Sequence, residues 1–225
     1  MCNRYLLTSN AADIARAFDC DVRPRLEPRY NIAPTQPVPV IRAREDTHAR
    51  RLDLLRWGLV PSWAKNIAIG DRLINARSES AAEKPAFRAA MRYRRCLLPA
   101  DGFYAWAKPA AGPRQPHVLT RADGEPLAIA GLWEHWQDEH GNELDTCVIL
   151  TTAANELIAR LHDRMPVILD ENDHAAWLDP DQQNASRASA LLRPYPADRM
   201  THRPISLHVN NPHHEDERGP DPPAA

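Results

Sequence analysis

Residues 96–107 read CLLPADGFYAWA, two short apolar segments broken at Asp101, and the same rhythm runs outward through the chain. Apolar runs of this length, bounded by Pro, Gly or Asp, are the mark of strands. PVPVIRA (37–43), RLDLLRWG (51–58), PHVLT (116–120), PLAIAGLW (126–133), DTCVILTT (145–152), PVILD (166–170) and ISLHV (205–209) share the pattern. With 21 prolines and only 8 glycines, the spacing predicts a β-rich core with many turns. Helical segments are fewer. Ser9 or Asn10 is placed to cap a helix over 11–18. Residues 78–91 are helix-like but interrupted by Pro85, which predicts two short helices or a kink. AANELIARLH (153–162) and NDHAAWL (172–178) complete the helical set. Without βαβ alternation or a dinucleotide fingerprint, the class is α+β.

The 225 residues suit one large domain, here 1–212, followed by a polar, Pro-rich tail (213–225) whose end is expected to be disordered. No apolar run is long enough to span a bilayer. The start, MCNRYLLTSN, lacks the regions of a signal peptide, so a cytoplasmic location is expected, with no membrane partner. The net charge of −2 hides an asymmetry. Residues 1–100 carry 18 Lys and Arg against 10 Asp and Glu; residues 101–225 carry 10 against 20. A basic face drawn mainly from the first half is compatible with nucleic acid. Arg supplies 25 of the 28 basic residues, and its planar fork suits phosphate, although an Arg-biased genome gives the same excess. None of the four cysteines sits in a C-x-x-C pair, so zinc and dithiol chemistry have no support. Cys96 and Cys147 lie in apolar runs and read as inert core thiols.

Cys2 differs by position. Removal of Met1 would leave an α-amine and a thiol on one residue, with ordinary pKa values of about 7.7–8.0 and about 8.5. Such an aminothiol condenses with an aldehyde to an imine, and the thiol then closes a five-membered thiazolidine. By position alone, an incidental cysteine at a frayed end remains the simpler account. LINARSES (73–80) holds Asn75, an amide donor and acceptor, and Arg77, a phosphate clamp. If this segment leaves a strand before a helix, both could face one cleft; a structural turn is the alternative. LHDRMPVIL (161–169) holds His162, which titrates near neutrality. Three aromatic segments, around Trp57 and Trp63, Tyr104 and Trp106, and Trp133 and Trp136, lie where stacking on exposed bases could occur. Trp57 and Trp133 are assigned to the core.

Taken together, MCNRY, YNIAPTQPVPV, WGLVPSWAK, LINARSES, EKPAF, RCLLPADGFYAW, LAIAGLWE, CVILTTAAN, HDRMPVIL and PIS..VNNP fall in one order from Met1 to about Pro212. In these blocks the chain resembles the SOS response-associated peptidase (SRAP) family. The resemblance implies an α+β fold with a curved β-barrel-like core, flanking short helices and a positively charged DNA cleft. It implies loss of Met1, in some members by self-processing, and a thiazolidine crosslink from Cys2 to the abasic aldehyde in single-stranded DNA. It implies a site of Cys2, Asn75 and His162. Arg4 and Arg77 would contact phosphates, and Pro34, Trp63 and Trp106 would pack on flanking bases. No metal or organic cofactor is implied, and a monomer associated with the nucleoid when on DNA is expected.

The chain departs from the family pattern at two places. Asn3 follows the cysteine where glycine is usual, and Asn tolerates positive φ better than most residues. Ala105 stands in GFYAW where the family usually has glutamate, a proposed acid/base beside the cysteine amine. A weakened activity is therefore expected. Two alternatives stay open: a thiol peptidase acting on other proteins, and a single-stranded DNA-binding module without covalent chemistry.

Overall fold

A computed structural model describes residues 2–107 and 114–223. Its strands are β1 Tyr5–Leu7, β2 Asp21–Val22, β3 Arg29–Ile32, β4 Pro37–Ala43, β5 Arg50–Trp57, β6 Asn75–Arg77, β7 Arg95–Ala100, β8 Gly102–Ala107, β9 Gln115–Arg121, β10 Leu127–Gln137, β11 Glu143–Ala153, β12 Arg164–Pro166 and β13 Met200–Pro204. The helices are α1 Ala11–Phe18, α2 Ser78–Ala81, α3 Arg88–Tyr93, α4 Glu171–Leu178 and α5 Ala185–Ser189. None is long and apolar enough to cross a membrane.

The segments with the strongest apolar character make the barrel. β5, β4, β7, β10 and β11 pair in that order, and β11 returns to β5 through Thr146↔Arg56 and Cys147↔Trp57, closing the ring. Closure removes free strand edges. Ile41, Leu52, Leu97, Ile129, Val148 and Ile149 on these strands are buried with no exposure, on one face or the other of the closed sheet. Cys96 and Cys147 are buried there as thiols. Gly131 lets β10 pass between its neighbours: a Cβ there would lie 2.4 Å from the Leu98 side chain and 2.9 Å from the Val148 carbonyl. The mixed α+β fold with a barrel core is therefore as expected.

The second sheet runs β13–β9–β8–β1–β3. Asp101 is the single residue between β7 of the barrel and β8 of this sheet. Its carboxylate accepts from the backbone N–H of Thr8 (2.5 Å) and Ser9 (2.7 Å) and from both hydroxyls (2.8 and 2.6 Å). Four bonds to an ionised acceptor fix the end of β1 against the corner where the chain changes sheets. Cys2 is thereby held three residues before a paired strand. Asn10 caps α1 as expected, accepting from Ala12 and Asp13 N–H, and Pro85 separates α2 from α3.

Three segments differ from expectation. AANELIARLH is the end of β11 and a 3-10 turn at Ile158–Arg160, not a helix, because Ala153 still pairs with Arg164 of β12. ISLHV is not a strand: Ser206 caps a 3-10 turn over Leu207–Asn210. In PVILD only Pro166 belongs to a strand, with one further bridge at Ile168. The first residues of the tail contact the body of the fold. Buried Asn31 donates to the carbonyls of Val209 (3.2 Å), Asn211 (2.9 Å) and His214 (2.9 Å), and Glu215 accepts from Arg29 at 2.5 Å. Residues 224 and 225 lie outside the described residues.

On α4, His174 is 4% exposed, stacked on Phe18 at 5.6 Å, with Nε2 lacking a partner among the described residues. Burial, then Arg50, holds it below the ordinary imidazole range; burial does the same first for His117 and His162. The unfolded chain then takes up protons near its usual value of about 6.5 while the folded chain does not. Stability should therefore fall as pH drops below about 6.5, ahead of carboxylate protonation. Thermal melts from pH 7.5 to 5 should show this, and His174→Phe should flatten the slope. An unchanged melting temperature at pH 5.5 would contradict it.

Candidate active site

β1 and β8 pair at Tyr5↔Phe103 and Leu6↔Gly102, which brings Cys2 beside the far half of β8. β6 lies parallel to β11 with Asn75 opposite Ile149, and β12 pairs with the end of β11. Between these elements lies a cavity of about 280 Å³. It is lined by Cys2, Asn3, Ile74, Asn75, Phe103, Tyr104, Ala105, Trp106, Arg114, His162, Arg164 and Pro166. Among these described residues none is acidic, while two are arginines. The wall therefore favours an anionic ligand.

Cys2 is 3% exposed, and its Sγ points toward the Arg4 carbonyl at 4.0 Å. Burial pushes the thiol up to about 12, so it is protonated at neutral pH. Asn75 Nδ2 donates to the Cys2 carbonyl at 2.7 Å. A carbonyl only accepts, so the amide orientation is fixed, and Oδ1 is left as a buried acceptor without a partner among the described residues. Such a group is costly to bury and marks a place where a ligand donor would be held. Asn75 and the helix after it confirm a strand leading into a helix at LINARSES.

His162 follows the 3-10 turn at Ile158–Arg160. Its Nδ1 accepts the Arg164 N–H at 2.9 Å, so the neutral ring carries its proton on Nε2. Asp163 Oδ1 is 2.8 Å from the same Nδ1 but is 86% exposed, and the contact becomes attractive only on protonation. Desolvation leads, and the ring is held below its usual pKa. Arg164 is set by a bidentate pair with Glu79 (2.6 and 2.8 Å) and by the Thr151 carbonyl (2.6 Å). Ala105 is 7% exposed at the wall.

A second depression adjoins the first, since Asn3 and Ile74 line both. Arg4, Pro34, Thr35, Gln36 and His213 line it too. Arg4 donates to Asn31 Oδ1 and to the Val209 carbonyl, both at 2.9 Å. Thr35 at φ 71° is strained for a β-branched residue and forms the tip of the NIAPTQ turn. That turn is held by Thr35 N–H to Trp57 (2.8 Å) and by Gln36 Oε1, which accepts from Ala33 N–H (2.9 Å). Trp106 lines the Cys2 cavity and donates from Nε1 to Asn210 Oδ1 at 2.7 Å.

The structure thus brings Cys2, Asn75, Ala105, Trp106 and His162 into one cavity, with Arg4 and Pro34 next door. Two expected residues are apart from it. Arg77 is exposed and does not line the cavity. Trp63, 61% exposed, sits in another depression with Lys65 and Arg72. Arg114, Thr35 and Gln36 went unnoticed in the sequence, because GPRQP offers a single arginine, NIAPTQ no charge, and neither a periodic pattern pointing to a wall. Away from the cavity, His48, Asp179 and Asp181 bring potential metal-ligating atoms within 4.8 Å of one another at the surface.

This geometry can be set beside known proteins. The abasic site processing protein YoqW of Bacillus subtilis is 41% identical over 215 residues, covering 94% of this chain and 95% of that protein. The abasic site processing protein YedK of Escherichia coli is 31% identical, with 94% and 95% covered. A crystal structure of a protein from Bacteroides thetaiotaomicron shares the fold at a TM-score of 0.88 and 23% identity, covering 98% of this chain and 99% of that one. The sequence model of the family described as SOS response associated peptidase (SRAP) matches residues 1–212, and with nearly the whole chain so matched, this protein belongs to that family.

Proposed function

We propose that this protein processes abasic sites in single-stranded DNA by joining the Cys2 amine and thiol to the opened sugar. The observation that carries this reading is the seating of residue 2 in a cavity with an open Asn75 acceptor, a neutral His162 and two arginines. After loss of Met1 the α-amine attacks the aldehyde carbon. His162, with its proton on Nε2, protonates the ring oxygen as the sugar opens. The thiol adds to the imine carbon, its proton passes to nitrogen, and one water is released overall. Ring closure removes the iminium that promotes strand cleavage, so the lesion is shielded. Asn75 Oδ1 accepts from the amine or from a sugar hydroxyl. Arg164 and Arg114 face the phosphates nearest the lesion, and Arg4 and Arg77 serve phosphates farther along the strand. Pro34, Trp106 and Trp63 pack on flanking bases. No cofactor takes part.

A thiol held near pKa 12 suits this order of events, in which nitrogen attacks first. It suits a thiolate peptidase acting on other proteins less well. Removal of Met1 is the one peptidase step the reading requires, and self-processing in this cavity would supply it.

The test is the intact mass of Met1-free protein after incubation with abasic or unmodified single-stranded oligonucleotide. The expected product is the sum of protein and abasic strand less one water, absent with unmodified DNA. Non-covalent binding alone would support a DNA-binding module instead, and cleavage of a protein substrate without a DNA adduct would support a peptidase.

A further inference from the structure

β8 and β9 pair so that Phe103 faces Leu119, Tyr104 faces Val118 and Ala105 faces His117. Opposed residues of an antiparallel pair carry their side chains on one face, with Cβ atoms about 4.5–5.5 Å apart. The packing agrees with this alternation. Phe103, Ala105 and Leu119 belong to the main core with Cys2, while Tyr104 and Val118 belong to the small cluster on the other side. His117 therefore stands beside Ala105 on the face that carries Cys2. β13 extends the sheet with His202 opposite Leu119, and Nδ1 of His117 lies 3.1 Å from Nδ1 of His202. At that distance one nitrogen donates and the other accepts, so the two rings share a proton.

We propose that His117, paired with His202, is a proton carrier for the Cys2 cavity, standing where a carboxylate on residue 105 would otherwise serve. This rests on the abasic-site reading above. As the amine nitrogen bonds to the aldehyde carbon, the carbonyl electron pair moves to oxygen. The His117 imidazole accepts the two protons shed in turn by nitrogen and returns them to that oxygen, the first making the hydroxyl and the second the water that leaves as the C=N bond forms. Sulfur then bonds to that carbon, the C=N pair returns to nitrogen, and the thiol proton follows it. No oxidant or reductant is required. His117 is not itself on the cavity lining; its cross-strand partner Ala105 is, and carries only a methyl group. The other titratable or charged groups at this corner are His202 on β13, Arg114 just before β9, and Cys2, His162 and Arg164 across the cavity. Burial, and then His202, holds His117 below the ordinary imidazole range, so at neutral pH it can accept a proton.

The experiment follows adduct formation against pH in Met1-free protein with abasic single-stranded DNA. His117→Gln should slow formation at neutral pH tenfold or more, since acid–base assistance is typically worth about 10²–10⁴. It should also remove the His117 share of the fall in rate on acidification, leaving only the limb of the Cys2 amine, while anisotropy shows unchanged affinity for unmodified single strands. His202→Gln should move that acid limb to higher pH, because the neighbour that lowers His117 is gone. Ala105→Glu placed on His117→Gln should restore the rate. Parental rate and pH profile in His117→Gln would overturn the proposal, as would an equal loss at every pH that Ala105→Glu fails to restore. Circular dichroism checks folding, and if His117→Gln unfolds, the limb shift in His202→Gln decides. Absence of any adduct in the parent would instead sink the abasic-site reading.

Discussion

Cys2→Ala is expected to abolish the covalent product with abasic single-stranded DNA while leaving non-covalent binding largely intact. The substitution removes one buried sulfur from the cavity and touches no group that meets phosphate, and phosphate contacts dominate affinity. Cys2→Ser separates the two halves of the chemistry. Its amine still forms an imine, but a hydroxyl closes a far less durable ring. The serine variant should therefore yield an adduct only on borohydride trapping, together with strand cleavage by β-elimination. Gel shifts under heat and denaturant, with and without borohydride, distinguish these outcomes. A heat-stable adduct in Cys2→Ala would place the nucleophile elsewhere and remove the basis of the proposed function.

Ala105→Glu should accelerate both formation and release of the adduct by tenfold or more. The side chain at 105 lies on the wall of a cavity of about 280 Å³, with Arg114 and Arg164 on the same lining and no acidic residue there. A carboxylate at this wall would be desolvated yet compensated by cations, able to hold the amine by a charge-assisted bond and to move protons. Release gains at least as much as formation, because ring opening must protonate the thiazolidine sulfur and regenerate the imine. Adduct formation and competitor-driven release, measured in both versions after mass confirmation that Met1 is gone, provide the test. Equal rates would mean that histidine already performs this work in full.

The long barrel strands were legible because their patterns are local. PVPVIRA is β4 to the residue, and GFYAWA is β8. The missed strands are those whose partners lie far away. Tyr5–Leu7 has three residues, and its pairing with β8 and β3 cannot be seen in MCNRYLL. Met200–Pro204 forms only because β9 offers an edge. ISLHV alternates like a strand, yet Arg4, Asn31 and Trp106 capture the carbonyl and side-chain groups of its end and of Asn210 and bend it into a turn. The site residues Cys2, Asn75, Trp106 and His162 came from the family resemblance together with their chemistry. Their meeting in one cavity depends on the register of β6 and β12 on β11, which no spacing in the sequence encodes. Trp63 and Arg77 illustrate the converse: a suitable residue type and a motif did not place them at the same wall.

Asp101 and the place of β1 within its sheet bear on the timing of synthesis. The wall around residue 2 is made after it and needs β8, then Arg114, then residues 162–166. At 5–20 residues per second the ribosome takes roughly 10–30 s to supply them. Until β8 is made the nascent end lacks one of its two strand partners, and until residues 162–166 follow its wall is incomplete, so it is open to a ribosome-bound aminopeptidase. Once Asp101 has locked Thr8 and Ser9, Cys2 is nearly sealed from solvent. The removal of Met1 that the proposed function requires therefore belongs either to translation or to the finished fold itself. On the proposed function, the same enclosure would keep the aminothiol away from free cellular aldehydes until an abasic strand is bound.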